Sequence, residues 1–166
     1  MRDMLATDPR EAERPLSTHF EAYLTDMARR GRAKMYRYTI RKHLFTMAEE
    51  CGWECLRDCT PPSISKYLGT LADRGLTPKT VNAHRADVAA FLNWCKKLGY
   101  LELNPCERVS KSAIKAEKKR RALSVPECRA LLEAAPPERR IVYLFLIYTG
   151  LRRGEAAGLC WHHVRL

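Results

Sequence analysis

The chain has 166 residues, carries a formal net charge of +11, and is 46% hydrophobic. That apolar content excludes wholesale disorder, and the length suits one ordinary domain or two small ones. No apolar run reaches the ~20 residues a membrane span needs, and the polar N-terminus MRDMLATDPREAERP is not a secretory signal. Together these favour the cytoplasm. The seven cysteines are expected to be free thiols. Strong positive charge speaks of partners, with nucleic acid first and an acidic membrane or protein surface behind it.

Residues 1–14, charged and poor in large apolar side chains, read as a flexible tail. A helical domain follows over residues 15–107. Ser17 is a candidate cap for a helix running to about Arg30, where Gly31 ends it. A second helix runs from about Arg32 to Glu50 and stops at Gly52. On it Tyr36, Ile40, Leu44, Met47 and Cys51 recur at the spacing of one buried stripe. Thr60-Pro61-Pro62-Ser63 starts a short helix that ends before Gly75. In the fourth helix Thr77 caps and Pro78 takes the first turn, where its missing N–H costs nothing. Val81, Val88, Phe91, Leu92, Cys95 and Leu98 are its core positions. Strand-like alternation is absent, so the half reads as a four-helix domain.

Residues 108–121 change character. Seven cations, Arg108, Lys111, Lys115, Lys118, Lys119, Arg120 and Arg121, stand against Glu117 alone, which marks an exposed basic linker. A second unit, 122–166, opens with Ser124 as cap and Glu127 three residues later. Pro136-Pro137 separates its first two helices. Ile141–Tyr148 is apolar on nearly every side, the pattern of a helix buried all round, yet about 45 residues cannot supply its partners. The unit therefore reads as incomplete. Gly150 turns the chain into a short helix ending near Leu159, and residues 161–166 are expected to begin a strand.

Thr149-Gly150-Leu151-Arg152-Arg153-Gly154-Glu155-Ala156-Ala157-Gly158-Leu159 carries the most chemical information. An arginine just past a glycine turn projects from fixed backbone, and its guanidinium can grip a phosphate bidentately. Glu155, three residues on, shares the face. By spacing alone the two are better explained as a structural ion pair at a helix corner. This run, followed by Trp161, resembles the opening motif of the tyrosine recombinase (phage integrase) catalytic domain. The surroundings agree: a preceding helical domain, the Asn104-Pro105 exit, the basic linker, and the Leu123-Ser124…Glu127 helix start.

The resemblance covers residues 16–166 and implies a mainly α chain. A four-helix, SAM-like core-binding domain would clamp duplex DNA, and the mostly helical start of an α+β catalytic domain would follow. It implies that Arg152 binds the scissile phosphate and that Glu155 supports it, while Arg153 has no role. The family's strand lysine, His-x-x-Arg pair, later His or Trp, and nucleophilic tyrosine would lie beyond Leu166. His162-His163-Val164-Arg165 is not that His-x-x-Arg pair, because it falls only ten residues after Arg152, at the family's strand entry. All seven tyrosines (Tyr23, Tyr36, Tyr38, Tyr67, Tyr100, Tyr143, Tyr148) precede Arg152. On this reading the chain is truncated, binds DNA, and does not by itself cleave or join it.

The expected DNA contacts are a basic stripe, Arg30, Lys34, Arg37 and Arg41, and the start of the fourth helix. There Lys79, Thr80, Asn82 and Arg85, with His84 nearby, lie where helix N–H groups favour phosphate. Linker cations Lys115, Lys118, Lys119, Arg120 and Arg121 would follow the backbone. Each set has a plainer reading as a solvated face or a solubilising tether. Cys51, Cys55 and Cys59, even with His43, lack the paired spacing of a zinc site; no metal, cofactor or small-molecule ligand is expected. Double-stranded DNA is the expected partner, with self-association upon it and no membrane. A helix-turn-helix regulator with Gly150 in the turn, and a generic polyanion binder acting through 108–121, remain alternatives.

Overall fold

The computed structural model describes residues 9–113 and 121–163. It divides into two compact units, Met1–Ala116 and Glu117–Leu166. All regular structure among the described residues is helical.

In the first unit α1 spans Pro9–Glu13, α2 Leu16–Arg29, α3 Lys34–Cys51, α4 Pro61–Asp73 and α5 Pro78–Lys97. Each of the four longer helices turns one stripe inward. On α2 the stripe is Leu16, Phe20, Leu24 and Met27; on α3 it is Ile40, Leu44 and Met47. On α4, Ile64, Leu68 and Leu71 are buried, and on α5, Val88, Phe91, Leu92 and Cys95. Phe20 is the meeting point. Its ring lies edge-on to Phe91 at 4.8 Å and to Phe45 at 5.1 Å, so one side chain ties α2 to both α3 and α5. Fully burying a side chain of this size contributes about 1.5–3 kcal/mol.

The helix ends follow local chemistry. Thr60 Oγ1 accepts from the Ser63 N–H at 3.3 Å, and Ser63 Oγ accepts from the Thr60 N–H at 3.1 Å, a reciprocal cap at the start of α4. Thr77 accepts from the Thr80 N–H with Pro78 in the first turn, as the sequence predicts. Gly52 ends α3 at φ +66°, a left-handed turn that lets the Trp53 N–H reach the Ala48 carbonyl at 2.8 Å.

Several expectations are corrected. Residues 9–13, read as part of a loose tail, form α1, whose Glu11 carbonyl bonds the ring of His19 at 3.1 Å. Ser17 does not cap α2. The helix starts two residues earlier, with Pro15 in the cap position, and the Leu16 N–H is taken by the Glu54 carbonyl at 2.7 Å. Tyr36 and Leu98 continue the stripes of α3 and α5 by spacing but are both 48% exposed.

The exit from α5 is also ordered further than expected. A 3-10 turn, Pro105–Arg108, follows buried Asn104, and Val109 is buried too. Asn104 Nδ2 donates to the Ala89 carbonyl at 3.0 Å and to Asn93 Oδ1 at 2.9 Å, while its Oδ1 accepts from the Cys106 N–H at 2.9 Å. The first residues of the basic segment are thus pinned along α5.

In the second unit α6 spans Val125–Ala134, α7 Pro137–Thr149 and α8 Arg153–Ala157. Ser124 and Glu127 form the capping box that their spacing predicts. None of the three helices has a buried residue. Ile141–Tyr148, expected to be buried all round, is therefore open: Ile141 is 70% and Tyr148 83% exposed. Within the described unit α6 packs on α7, which leaves the remaining apolar sides of α7 uncovered. Residues 161–163 form a 3-10 turn where a strand entry was expected.

Candidate nucleic-acid interface

The four stripe cations sit where α2 ends and α3 begins, and their surroundings differ. Arg30 caps the end of α2, and its Nη2 lies 2.7 Å from Asp26. Asp26 is buried and also accepts from Arg29 at 2.8 Å and from the Trp94 indole N–H at 3.1 Å. The Arg29 hydrogen bond, with Arg30 and Trp94 adding to it, holds that carboxyl below the usual carboxylate range.

Arg37 Nε donates to the Arg32 carbonyl at 3.1 Å. Arg41 pairs with Glu21, and its guanidinium lies 4.6 Å from the centroid of the Phe45 ring. Lys34 makes no ion pair with the described residues and is exposed, as is Tyr38 one turn on. Sequence reading missed two members of this face. Lys42 is exposed beside Arg41, and Tyr36, assigned to the core, lies half out of it.

The start of α5 separates into two groups. Lys79 and Thr80 are exposed. Asn82 and Arg85 instead bond main chain of the exit segment. Asn82 Nδ2 donates to the Ser112 carbonyl and its Oδ1 accepts from the Ser112 N–H, both at 2.9 Å. Arg85 donates to the carbonyls of Val109 at 2.8 Å and Cys106 at 3.0 Å. Both residues fasten residues 106–112 to α5. His84 stacks on His43 of α3, with ring centroids 3.8 Å apart.

Of the linker cations, Lys115, Lys118, Lys119 and Arg120 lie outside the described residues. Arg121 forms a two-pronged pair with Glu127, at 2.7 and 2.5 Å. That guanidinium, with the Ser124 N–H and hydroxyl, draws the Glu127 carboxyl down to about 2. The same pair fixes the start of α6 to the end of the basic segment.

Gly150, at φ +66°, closes α7 and turns the chain toward Arg152. Arg152 is the N-cap of α8. Its Nη1 lies 2.9 Å from Glu155 Oε1, and its N–H donates to Oε2 at 2.8 Å. Those two bonds, the backbone one first, lower the Glu155 carboxyl. The Arg152 side chain is 87% exposed, so its remaining N–H groups face solvent. Arg153 is exposed and unpaired among the described residues. His163 Nδ1 accepts from the Cys160 N–H at 3.1 Å.

The cysteines are free, and no His/Cys/Asp/Glu group among the described residues could hold a metal. Burial pushes the thiols of Cys51 and Cys59 up, which keeps them protonated and unreactive. No helix among the described residues is long and apolar enough to cross a membrane.

No protein-family model matches the chain. It is similar to prophage integrase IntR of Escherichia coli K12, with 32% identity over 96 residues, which is 56% of this chain and 22% of that protein. It is also similar to a XerC-like tyrosine recombinase of Caldanaerobacter subterraneus subsp. tengcongensis, 31% identical over 106 residues, or 59% of this chain and 27% of that protein. The chain therefore matches only about a quarter of the length of these curated relatives.

Among solved structures, a lambda integrase dimer bound to a COC′ core site matches 95% of this chain and 45% of its own, with a TM-score of 0.75 and 17% identity. A lambda integrase tetramer bound to a Holliday junction matches with a TM-score of 0.71 at 18% identity, covering 91% of this chain and 45% of its own. At such identities the structural matches speak for the fold alone. In sequence this chain is similar to parts of tyrosine recombinases of the phage-integrase kind, and in fold it is similar to lambda integrase.

Proposed function

We propose that this chain is a duplex-DNA-binding part of a tyrosine recombinase that serves DNA integration and site-specific recombination. The observation that carries the reading is the agreement of two independent likenesses. About a third of the residues match integrases over more than half of the chain, and a DNA-bound integrase fold matches 95% of it. The first unit is the core-binding domain, and the second belongs to the catalytic domain.

On this reading DNA phosphates are met first by Lys34, Arg37 and Arg41 on α3, with Lys42 beside them, and by Lys79 and Thr80 at the start of α5. Helix N–H groups and exposed cations there act together on one anionic backbone. Arg30 stays with Asp26 and orders the turn. Asn82 and Arg85 act by holding the exit segment, which sets where the basic residues beyond it begin. Arg152 offers the N–H groups that Glu155 does not use to the scissile phosphate, where a fixed guanidinium would stabilise charge built up during attack.

A covalent step on DNA needs a hydroxyl in line with the phosphorus. Tyr23 and Tyr67 are poor candidates, since burial pushes both phenols up to about 12. Assembly of several copies on DNA and a cytoplasmic setting complete the reading. The five-residue α8 is too short to serve as a recognition helix, which sets the helix-turn-helix alternative aside.

The test is competition. Labelled duplex bound by the chain is challenged with unlabelled duplex, heparin and anionic vesicles of matched charge. Displacement by duplex at much lower charge concentration than by the other two supports a DNA clamp. Equal displacement by all three would return the function to generic polyanion binding.

A further inference from the structure

A polar cluster lies between the helices that carry the candidate cations. His43 of α3 donates from Nδ1 to Asp87 Oδ2 of α5 at 2.5 Å. The ring of His84, also on α5, stacks on that of His43 with centroids 3.8 Å apart and planes inclined by 25°. His84 Nδ1 is buried and has no hydrogen-bond partner among the described residues; nor has the hydroxyl of Tyr67, whose ring lies 6.1 Å away on α4.

The charged and titratable neighbours can be taken element by element. From α3 come His43, Glu50 and Cys51; from α4 and its end, Tyr67 and Arg74; from α5, Asp87; and from α2, Tyr23 faces Asp87. Two of these are anions, and both are engaged. Asp87 is held by His43, and Glu50 receives both prongs of Arg74, at 2.9 and 2.8 Å.

The cluster therefore has a counter-ion for one proton and none for a second. A proton on His43 is matched by Asp87. A further proton on His84 would set two cations face to face and leave a buried N–H without an acceptor. We propose that His43, His84 and Asp87 form an acid-sensitive fastener between α3 and α5, which holds the helices together while the stacked His84 ring is neutral and releases them when that ring takes a proton. The proposal stands on this geometry and does not depend on DNA binding.

Burial first, then His43, pulls the pKa of His84 below its ordinary 6.5, against the opposing pull of Asp87 and Glu50. A base with a depressed folded pKa binds fewer protons folded than unfolded. Its contribution is complete above the unfolded value and is lost as pH falls below about 6.5. His19, buried at 2% exposure, is also depressed by burial and adds a penalty of the same sign.

The experiment separates the two. Urea unfolding of the full chain, carrying Trp161→Phe so that Trp53 and Trp94 report the helical unit, is compared at about pH 7.5 and about pH 5.5. His84→Gln and His19→Gln variants are measured alongside. The native unfolding constant should rise on acidification by more than that of H84Q, with a ceiling of about tenfold for a ring that stays neutral in the folded chain, while H19Q keeps this difference. Equal acid sensitivity in native and H84Q chains would overturn the proposal. Should H84Q fail to fold, histidine NMR titration of the native chain decides. His84 titrating well below 6.5 supports the fastener, and titration at or above 6.5 overturns it.

Discussion

At the scale of single residues, basic side chains that look alike in sequence have different occupations. Arg85 and Asn82 satisfy main-chain groups of the exit segment, whereas Lys34 and Lys79 are free of ion pairs among the described residues. Arg85→Ala leaves the Val109 carbonyl without its donor and the buried Cys106 carbonyl with the Val109 N–H alone, and should lower stability by about 1–3 kcal/mol in urea unfolding. Lys79→Ala should stay within about 0.5 kcal/mol of the native chain while weakening duplex binding. Lys34→Ala should likewise leave stability alone and reduce the salt slope of DNA binding by about one. If Arg85→Ala lost DNA affinity at unchanged stability, its fastening role would be wrong.

This division was not legible in the sequence. The spacing of Lys79, Asn82 and Arg85 places them on one helical face, but only the return path of residues 104–112, a non-local fact, shows that two of them are spoken for. Arg152 and Glu155 were legible as a pair because their contact spans three residues and one capping box. The reach of a stripe was not. Spacing gives the direction in which Tyr36 and Leu98 point, and says nothing of how far a neighbouring helix extends to cover them.

At the scale of elements, the helical unit depends on one aromatic junction and one polar one. Phe20→Ala removes the ring that joins α2 to α3 and α5 and should cost about 3–5 kcal/mol, read from the urea midpoint of the first unit. A loss below about 1 kcal/mol would mean the junction is not central. The His43–His84 contact adds a pH term with the sign derived above, so the unit should unfold more readily below about pH 6.5. Helix starts were the most legible elements, since Thr60, Thr77 and Ser124 announce themselves by local hydrogen-bonding chemistry. Trp161–His163 went astray because a strand needs a partner to define it. The apolar run on α7 shows the opposite limit: its composition states that it should be covered without saying by what.

At the scale of the whole molecule, a net charge of +11 attracts any polyanion, so affinity at one salt concentration decides little. A clamp and a loose basic tether differ in how many phosphates are neutralised together and in preference for duplex. The most direct measurement is the affinity of the 166-residue chain for a labelled duplex across a range of salt concentrations. Engagement of Lys34, Arg37, Arg41, Lys79 and the cations near the exit predicts a log–log slope of about −4 or steeper, at ~0.9 per phosphate contacted. A slope near zero, or no binding at low salt, would contradict the claim that this chain binds DNA.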